Sequence, residues 1–277
     1  MRRDTCDAEA GLGVSWDAAT PAIATIIPCR GNPEALRRAV RSAISQCEPN
    51  EVIVIDDASE QPDAEQIAAI ARDHGARLIR LPERVGPAMA RNAGIDASET
   101  PYIAFLDADD FWLPGKLAAQ RAAMDAGRLS FTFMRYANFH GAEARPMPAP
   151  ARLSRRALLG NTAIGCSTVM LSRAFVAGRR FPDAPAEDFA FWVALLGEAE
   201  EAHLVGDAVM VLRSKGGRSS NRVAAAWRCW RTMRDTLGLP LLPALGHFTR
   251  YALRAAGKHW LPRPVQPLEA ELRGVEP

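Results

Sequence analysis

Short apolar runs of strand type alternate with amphipathic helical stretches four times in roughly the first hundred residues, and that alternation leaves few folds open. Ala22 to Ile27 is a β-branched run that reads as a buried strand. Asn32 then offers a helix N-cap and Pro33 a first helical position, with Leu36, Ala39, Val40 and Ala43 at helical spacing. Val52 to Ile55 is a second strand, Asp63 to His74 a helix stopped by Gly75, and Arg77 to Leu81 a third strand. Gly86 to Ala97 reads as helical and Tyr102 to Leu106 as a fourth strand. Consecutive strands joined through helices must run mostly parallel, with both faces of the sheet covered. The expected class is therefore α/β, with ligands beyond the carboxyl ends of the strands.

Further along, the pattern predicts a helix from Pro114 to Ala126 and a strand at Phe131 to Met134. A proline-rich loop over Gly141 to Pro150 follows. A strand at Ser167 to Leu171, a helix from Asp188 to about Gly197 and a strand at Val209 to Leu212 complete the second half. In that helix Phe189, Trp192, Val193 and Leu196 fall at i, i+3, i+4 and i+7. The expected organisation is a loose tail over 1–21, a catalytic domain over 22–221 and a basic helical tail over 222–277. Within the domain a donor-binding half spans 22–140 and an acceptor half 141–221.

The second strand ends in Asp56-Asp57-Ala58-Ser59 and the fourth in Asp107-Ala108-Asp109-Asp110. Five carboxylates thus stand on the edge of the sheet where ligands bind. Such crowding is costly without a cation. In extended chain Asp107 and Asp109 share a face, with the small Ala108 between them. Hard oxygen donors of this kind suit Mg²⁺ or Mn²⁺ bridging to substrate phosphates. The same aspartates also suit a helix cap or a solvated turn, so the triplet taken alone leaves both readings open.

An ordered series of motifs adds to this: Ile26-Ile27-Pro28 followed by Pro33-Glu34-Ala35-Leu36, then Val54 to Ser59, Gly86 to Ile95, Tyr102 to Asp110, and Ala186-Glu187-Asp188-Phe189 before a tryptophan-bearing helix. In that series the chain resembles the inverting family 2 glycosyltransferases of the GT-A fold, from about Ala22 to Asn221. The resemblance implies a nucleotide-sugar donor, a UDP-sugar by default, and a saccharide or lipid-linked saccharide acceptor, in bacterial surface-polysaccharide or glycolipid assembly. It places Pro28, Arg30, Asp56, Asp57 and Arg91 about the nucleoside, Asp107 and Ala108 at the ribose or donor sugar, and Asp109 on the metal with Asp107 beside it. It makes Asp188 the general base of an inverting displacement. Asp188 equally suits a helix N-cap, Asp57 an Asx-turn, and Arg91 a surface ion pair.

The chain departs from the family pattern at Arg30-Gly31, where an aromatic and an Asn are usual, and at Lys215, where relatives tend to carry a histidine. A guanidinium plane at Arg30 could stack on the base in place of the aromatic. Lys215, with Arg213 or Arg218, could neutralise phosphate oxygens, or belong to an ordinary basic loop. From Arg222 to Pro264 eight Lys/Arg face one acid, Asp235, among Trp227, Trp230, Leu237, Leu239, Phe248, Tyr251 and Trp260. That mixture suits either an anionic membrane surface or packing on the catalytic domain.

A net charge of +2, from 34 Lys+Arg against 32 Asp+Glu, gives no reason to expect nucleic acid. Five widely spaced cysteines without a C-x-x-C pair argue for free thiols in a reducing compartment. With no signal-type stretch or spanning segment, the expectation is a cytoplasmic protein, peripheral at most on the inner membrane face. A sugar-phosphate nucleotidyltransferase or a dinucleotide-binding dehydrogenase would need a Gly-rich phosphate loop after the first strand, which Cys29-Arg30-Gly31-Asn32-Pro33 does not supply. The remaining alternative is a glycosyltransferase-like binding or scaffold protein without turnover.

Overall fold

The computed structural model describes residues 21–140, 143–161, 163–197, 200–214, 222–260 and 266–267. Its core is the parallel stack predicted for the first half. Strands β1 (Ile23–Cys29), β2 (Asn50–Asp56), β3 (Arg77–Arg80) and β4 (Tyr102–Phe105) lie in the order β3-β2-β1-β4, all parallel. Every residue of β1 is buried because helices cover both faces. Leu36, Ala39, Val40 and Ala43 of α1 (Pro33–Ile44) pack with Ile23 and Ile27 on one face. Ala88, Ala90 and Ile95 of α3 (Pro87–Ala97) pack with Ala24 and Ile26 on the other. Helix α2 (Asp63–Asp73) adds Ile67 and Ile70 to the first of these clusters.

The local signals act as their chemistry requires. The Asn32 side chain accepts from the Ala35 amide at 3.3 Å, Pro33 opens α1, and Gly31 and Asn32 both take left-handed backbone (φ 63° and 52°) in the turn out of β1. Gly94 matters for packing. A Cβ there would stand 2.4 Å from Cγ2 of Ile26, so α3 lies on β1 at a distance that only glycine allows.

Beyond β4 the sheet is mixed rather than mostly parallel. A two-residue strand β5 (Phe111–Trp112) precedes α4 (Lys116–Gly127), and the predicted strand from Phe131 continues as β6 to His140. The expected loop over Gly141 to Pro150 contains strand β7 (Glu143–Pro146), which pairs antiparallel with β6. Its prolines stand at the last strand position and beyond, where a missing amide ends pairing without breaking it. Strand β8 (Arg152–Ser154) leads into the single turn α5 (Arg155–Leu158).

The strand expected from Ser167 begins later, as β9 (Val169–Ser172), after a 3₁₀ turn at Cys166–Thr168. It runs antiparallel to both β4 and β6 and joins the two halves into one sheet. A further turn α6 (Arg173–Val176) precedes α7 (Glu187–Leu195). The strand expected at Val209 to Leu212 is the end of the 14-residue β10 (Glu201–Ser214), parallel to β6. Its register shifts between Leu204 and Val211, around Gly206 and Asp207, and hides the earlier part from a period-two reading.

The C-terminal segment is helical, as expected. Helix α8 (Arg222–Arg231) passes through a π-helical turn (Thr232–Thr236) to α9 (Leu241–Trp260), and a short β11 (Gln266–Pro267) pairs with β7. Cys229, Met233 and Tyr251 are buried in a cluster with Phe189 of α7, so these helices rest on the body of the protein. Among the described residues no helix is long and apolar enough to cross a membrane. Cys29, Cys166 and Cys229 are free and buried, whereas Cys47 is disulfide-bonded, which departs from the expectation of free thiols throughout.

Candidate active site

The carboxyl ends of β2 and β4 bring the two acidic segments to one edge, and the structure shows what each carboxylate does there. Asp56 is buried, with Oδ1 accepting from the Ser59 amide at 3.0 Å and Oδ2 3.6 Å from Nε of Arg80. Asp57 accepts from the amides of Val85 (2.7 Å) and Gly86 (2.9 Å) and so pins the chain entering α3. This is a longer reach than the local Asx-turn considered from sequence. Pro28 lies in β1 opposite Ile55, and Arg30, half-exposed beyond it, donates to Glu60 at 3.3 Å.

Arg91 is not at the surface. It is 4% exposed, and its guanidinium donates through Nη2 to Asp107 at 2.6 Å and through Nη1 to Glu187 at 3.2 Å, beside the face of Phe181. One residue on α3 thereby ties the end of β4 to the first residue of α7. Its Nε is buried with no hydrogen-bond partner. Asp188 is the next residue of α7, and Ala186 rather than Asp188 holds the N-cap position. The Asp188 carboxylate accepts from the Phe189 amide at 2.7 Å. Burial first, then the neighbouring Glu187, pushes the Asp188 carboxyl above its usual range, with Arg91 opposing. A carboxylate held in this way is tuned toward accepting a proton.

The turn after β4 has its own scaffold. Ser167 donates to Asp110 Oδ2 at 2.6 Å and accepts from the Asp107 amide at 3.1 Å, while Arg213 at the end of β10 donates to the same Asp110 oxygen at 3.2 Å and lies over Tyr136. Ala108, between Asp107 and Asp109 in the chain, packs on the core below. Asp110 is pushed up to about 7 by burial, with Asp107 and Asp109 adding and Arg213 opposing. Burial and then Asp107 also raise the Asp109 carboxyl.

These are sites where negative charge is disfavoured until a cation arrives, so the donor set fits Mn²⁺ or Mg²⁺. Among the described residues no group of three or more His, Cys, Asp or Glu could hold a metal alone. Lys215 and Arg218 lie outside the described residues.

Ser167 and Glu187 are the participants that a sequence reading overlooks. Ser167 carries no local signal, since its partners lie 57 and 60 residues away. Glu187 stands next to Asp188 in the quoted motif, but its pairing with Arg91 spans 96 residues.

A putative teichuronic acid biosynthesis glycosyltransferase of Bacillus subtilis is 29% identical over 246 residues, covering 86% of this chain and 97% of the relative. An Escherichia coli protein named UDP-Glc:alpha-D-GlcNAc-diphosphoundecaprenol beta-1,3-glucosyltransferase is 30% identical over 184 residues, covering 65% of this chain and 72% of that one. Among solved structures, the mannosyltransferase PcManGT of Pyrobaculum calidifontis, in complex with GDP-Man and Mn²⁺, superposes with a TM-score of 0.64 at 17% identity, covering 91% of this chain and 75% of that one. This last likeness is one of fold. The model of glycosyl transferase family 2 matches residues 24–183, more than half of the chain, and the protein belongs to that family.

Proposed function

We propose that this glycosyltransferase moves a sugar from a nucleoside-diphosphate donor, by default a UDP-sugar, to an acceptor hydroxyl with inversion at the anomeric carbon. The acceptor class is a saccharide or lipid-linked saccharide of surface-polysaccharide or glycolipid assembly, met at the cytoplasmic face of the membrane. The observation that carries this reading is the buried Arg91 link, which joins Asp107 to the helix that begins Glu187-Asp188. It holds the donor-side carboxylate and the base-side helix in one electrostatic unit.

In this reading Asp188 takes the acceptor proton as the hydroxyl oxygen attacks, and its raised proton affinity suits that task. Asp107 faces the ribose or donor sugar, and Asp109, with Asp107 beside it, would hold Mn²⁺ or Mg²⁺. When bound, such an ion supplies positive charge to the diphosphate oxygens. Pro28, Arg30, Asp56 and Asp57 border the nucleoside. Each oxygen of Asp57 still has a lone pair available after serving the Val85 and Gly86 amides. Ala108 allows close approach of the donor, and Lys215 meets the phosphates. The support is the family, the UDP-sugar and lipid-linked saccharide in the E. coli relative's name, and the Mn²⁺ in the mannosyltransferase complex.

Calorimetry of donor binding with and without Mn²⁺, run beside a transfer assay, tests the roles. Asp109→Ala is expected to lose the metal-dependent part of donor binding. Asp188→Asn should keep donor binding while transfer falls by about 100-fold or more, the usual worth of a general base. Unchanged metal-dependent affinity in the first variant, or near-normal transfer in the second, would refute the corresponding assignment.

A further inference from the structure

Away from the acidic edge, α5 and α9 flank an open surface pocket of about 280 Å³ lined by Ser154, Arg156, Ala157, Gly160, Arg250 and Arg254. Three of its six lining residues are arginines, and no acid lines it. Arg254 donates to the Gly160 carbonyl at 2.9 Å. Among the described residues no carboxylate pairs with Arg156, Arg250 or Arg254. The elements meet closely, because a Cβ on Gly160 would stand 3.1 Å from Cβ of Arg250. The buried Nδ1 of His247, one turn back on α9, has no hydrogen-bond partner, and burial, then Arg250 and Arg156, hold its imidazole below its ordinary value. Like charges converging on one pocket repel one another unless an anion is supplied, and guanidinium forks match phosphate oxygens.

The outer side of the same helix indicates what bears that anion. Ala244 and Tyr251 are the buried face of α9, whereas Leu242, Leu245 and Leu253 are 79%, 44% and 68% exposed. At 100° per residue these leucines form a stripe that borders the Arg250 and Arg254 edge. An exposed aliphatic stripe beside a cationic pocket is the amphipathic arrangement that lies in a lipid interface. The arginines that composition singles out ahead of α9 are placed differently. Arg231 at the end of α8 pairs with Asp235, and Arg234 in the π-helical turn donates to the Leu239 carbonyl.

We infer that the Arg156–Arg250–Arg254 pocket is a phosphate-binding site that takes the headgroup phosphate of an anionic lipid, with the α9 leucine stripe set into the adjoining acyl region. This inference is independent of the transfer reaction, since it concerns a surface that Asp107, Asp109 and Asp188 do not share.

Co-sedimentation of the full chain with phosphatidylcholine vesicles, with and without phosphatidylglycerol, tests it. The protein should bind the anionic vesicles preferentially. Arg156→Gln/Arg250→Gln should weaken that binding by about thirtyfold, the worth of two arginines at an anionic surface, while Arg254 still anchors α9. Arg228→Gln/Arg231→Gln removes equal charge from α8 and should change binding by no more than about threefold, because those groups lie outside the pocket. Leu242→Ser/Leu253→Ser should also release the vesicles. No preference for anionic vesicles, or an equal loss in the two arginine pairs, would overturn the proposal. So would inorganic diphosphate binding to the pocket, followed by thermal shift, without vesicle binding that depends on the leucines; the ligand would then be a free phosphate.

Discussion

Arg91 holds two carboxylates with one guanidinium, one just beyond β4 and the other at the start of α7. Removing it takes the guanidinium partner away from the buried Glu187, a loss of about 3–5 kcal/mol where a partner of a buried pair is deleted. Lysine cannot replace the fork, because a single ammonium cannot serve both acceptors in that planar geometry. Arg91→Gln should therefore lower the thermal midpoint strongly and Arg91→Lys less so. A second effect separates a positioning role from mere support. Arg91 opposes the burial and the Glu187 charge that raise the Asp188 carboxyl. Without the cation the Asp188 pKa rises further, less of it is ionised at a given pH, and the acid limb of kcat/KM moves to higher pH. A pH profile that falls uniformly, with its acid limb in place, would show that Arg91 does not act through Asp188. The motif around Arg91 was legible in sequence, and so were the carboxylates on the strand ends. The choice between a surface ion pair and a buried one was not, since it depends on a partner 96 residues away.

At the scale of elements, the fold rests on α3 lying against β1 and on Asp57 fixing where α3 begins. Gly94→Ala tests that contact. Alanine gains about 1 kcal/mol of helix propensity over glycine, yet a Cβ 2.4 Å from the Ile26 side chain adds an overpacking cost of about 1–3 kcal/mol. Gly94→Val adds further bulk and gives back part of the propensity gain. The expected order of urea midpoints is parent at or above Ala, and Ala above Val. Donor affinity should fall in the same order, because a displaced α3 carries the Val85 and Gly86 amides away from Asp57. Stability lost with donor affinity intact would separate the helix seat from the site. The elements of the first half were readable because each strand is buried on both faces and each helix keeps one apolar face, so period and composition agree. The second half was harder to read. β10 changes register near Gly206, β7 hides among prolines, and β5 is two residues long, so none offers a sustained period.

For the molecule as a whole, the C-terminal helices bear on the start of α7. Sequence showed that they carry both basic and aromatic faces but not which face is covered, since that depends on a docking partner more than forty residues back along the chain. The structure places Met233, fully buried, against Phe189, the residue after Asp188, and lets the Thr232 hydroxyl accept from the Ala186 amide at 3.0 Å, two residues before it. The approach to the candidate base is thus held from outside the span matched by the family model, which ends at residue 183. Thr232→Val keeps the shape of the side chain and removes the acceptor. The cost of leaving the Ala186 amide unpaired is about 1–3 kcal/mol. Because that amide leads into α7 and not into the donor edge, the variant should lower kcat for transfer while the KM for donor stays within about twofold, as expected for an interaction that positions the base rather than binds the donor. Thr232→Ser retains the hydroxyl and should restore most of the rate. A loss of donor affinity instead, or a Ser variant as slow as Val, would mean that the C-terminal helices support the fold generally and do not position Asp188.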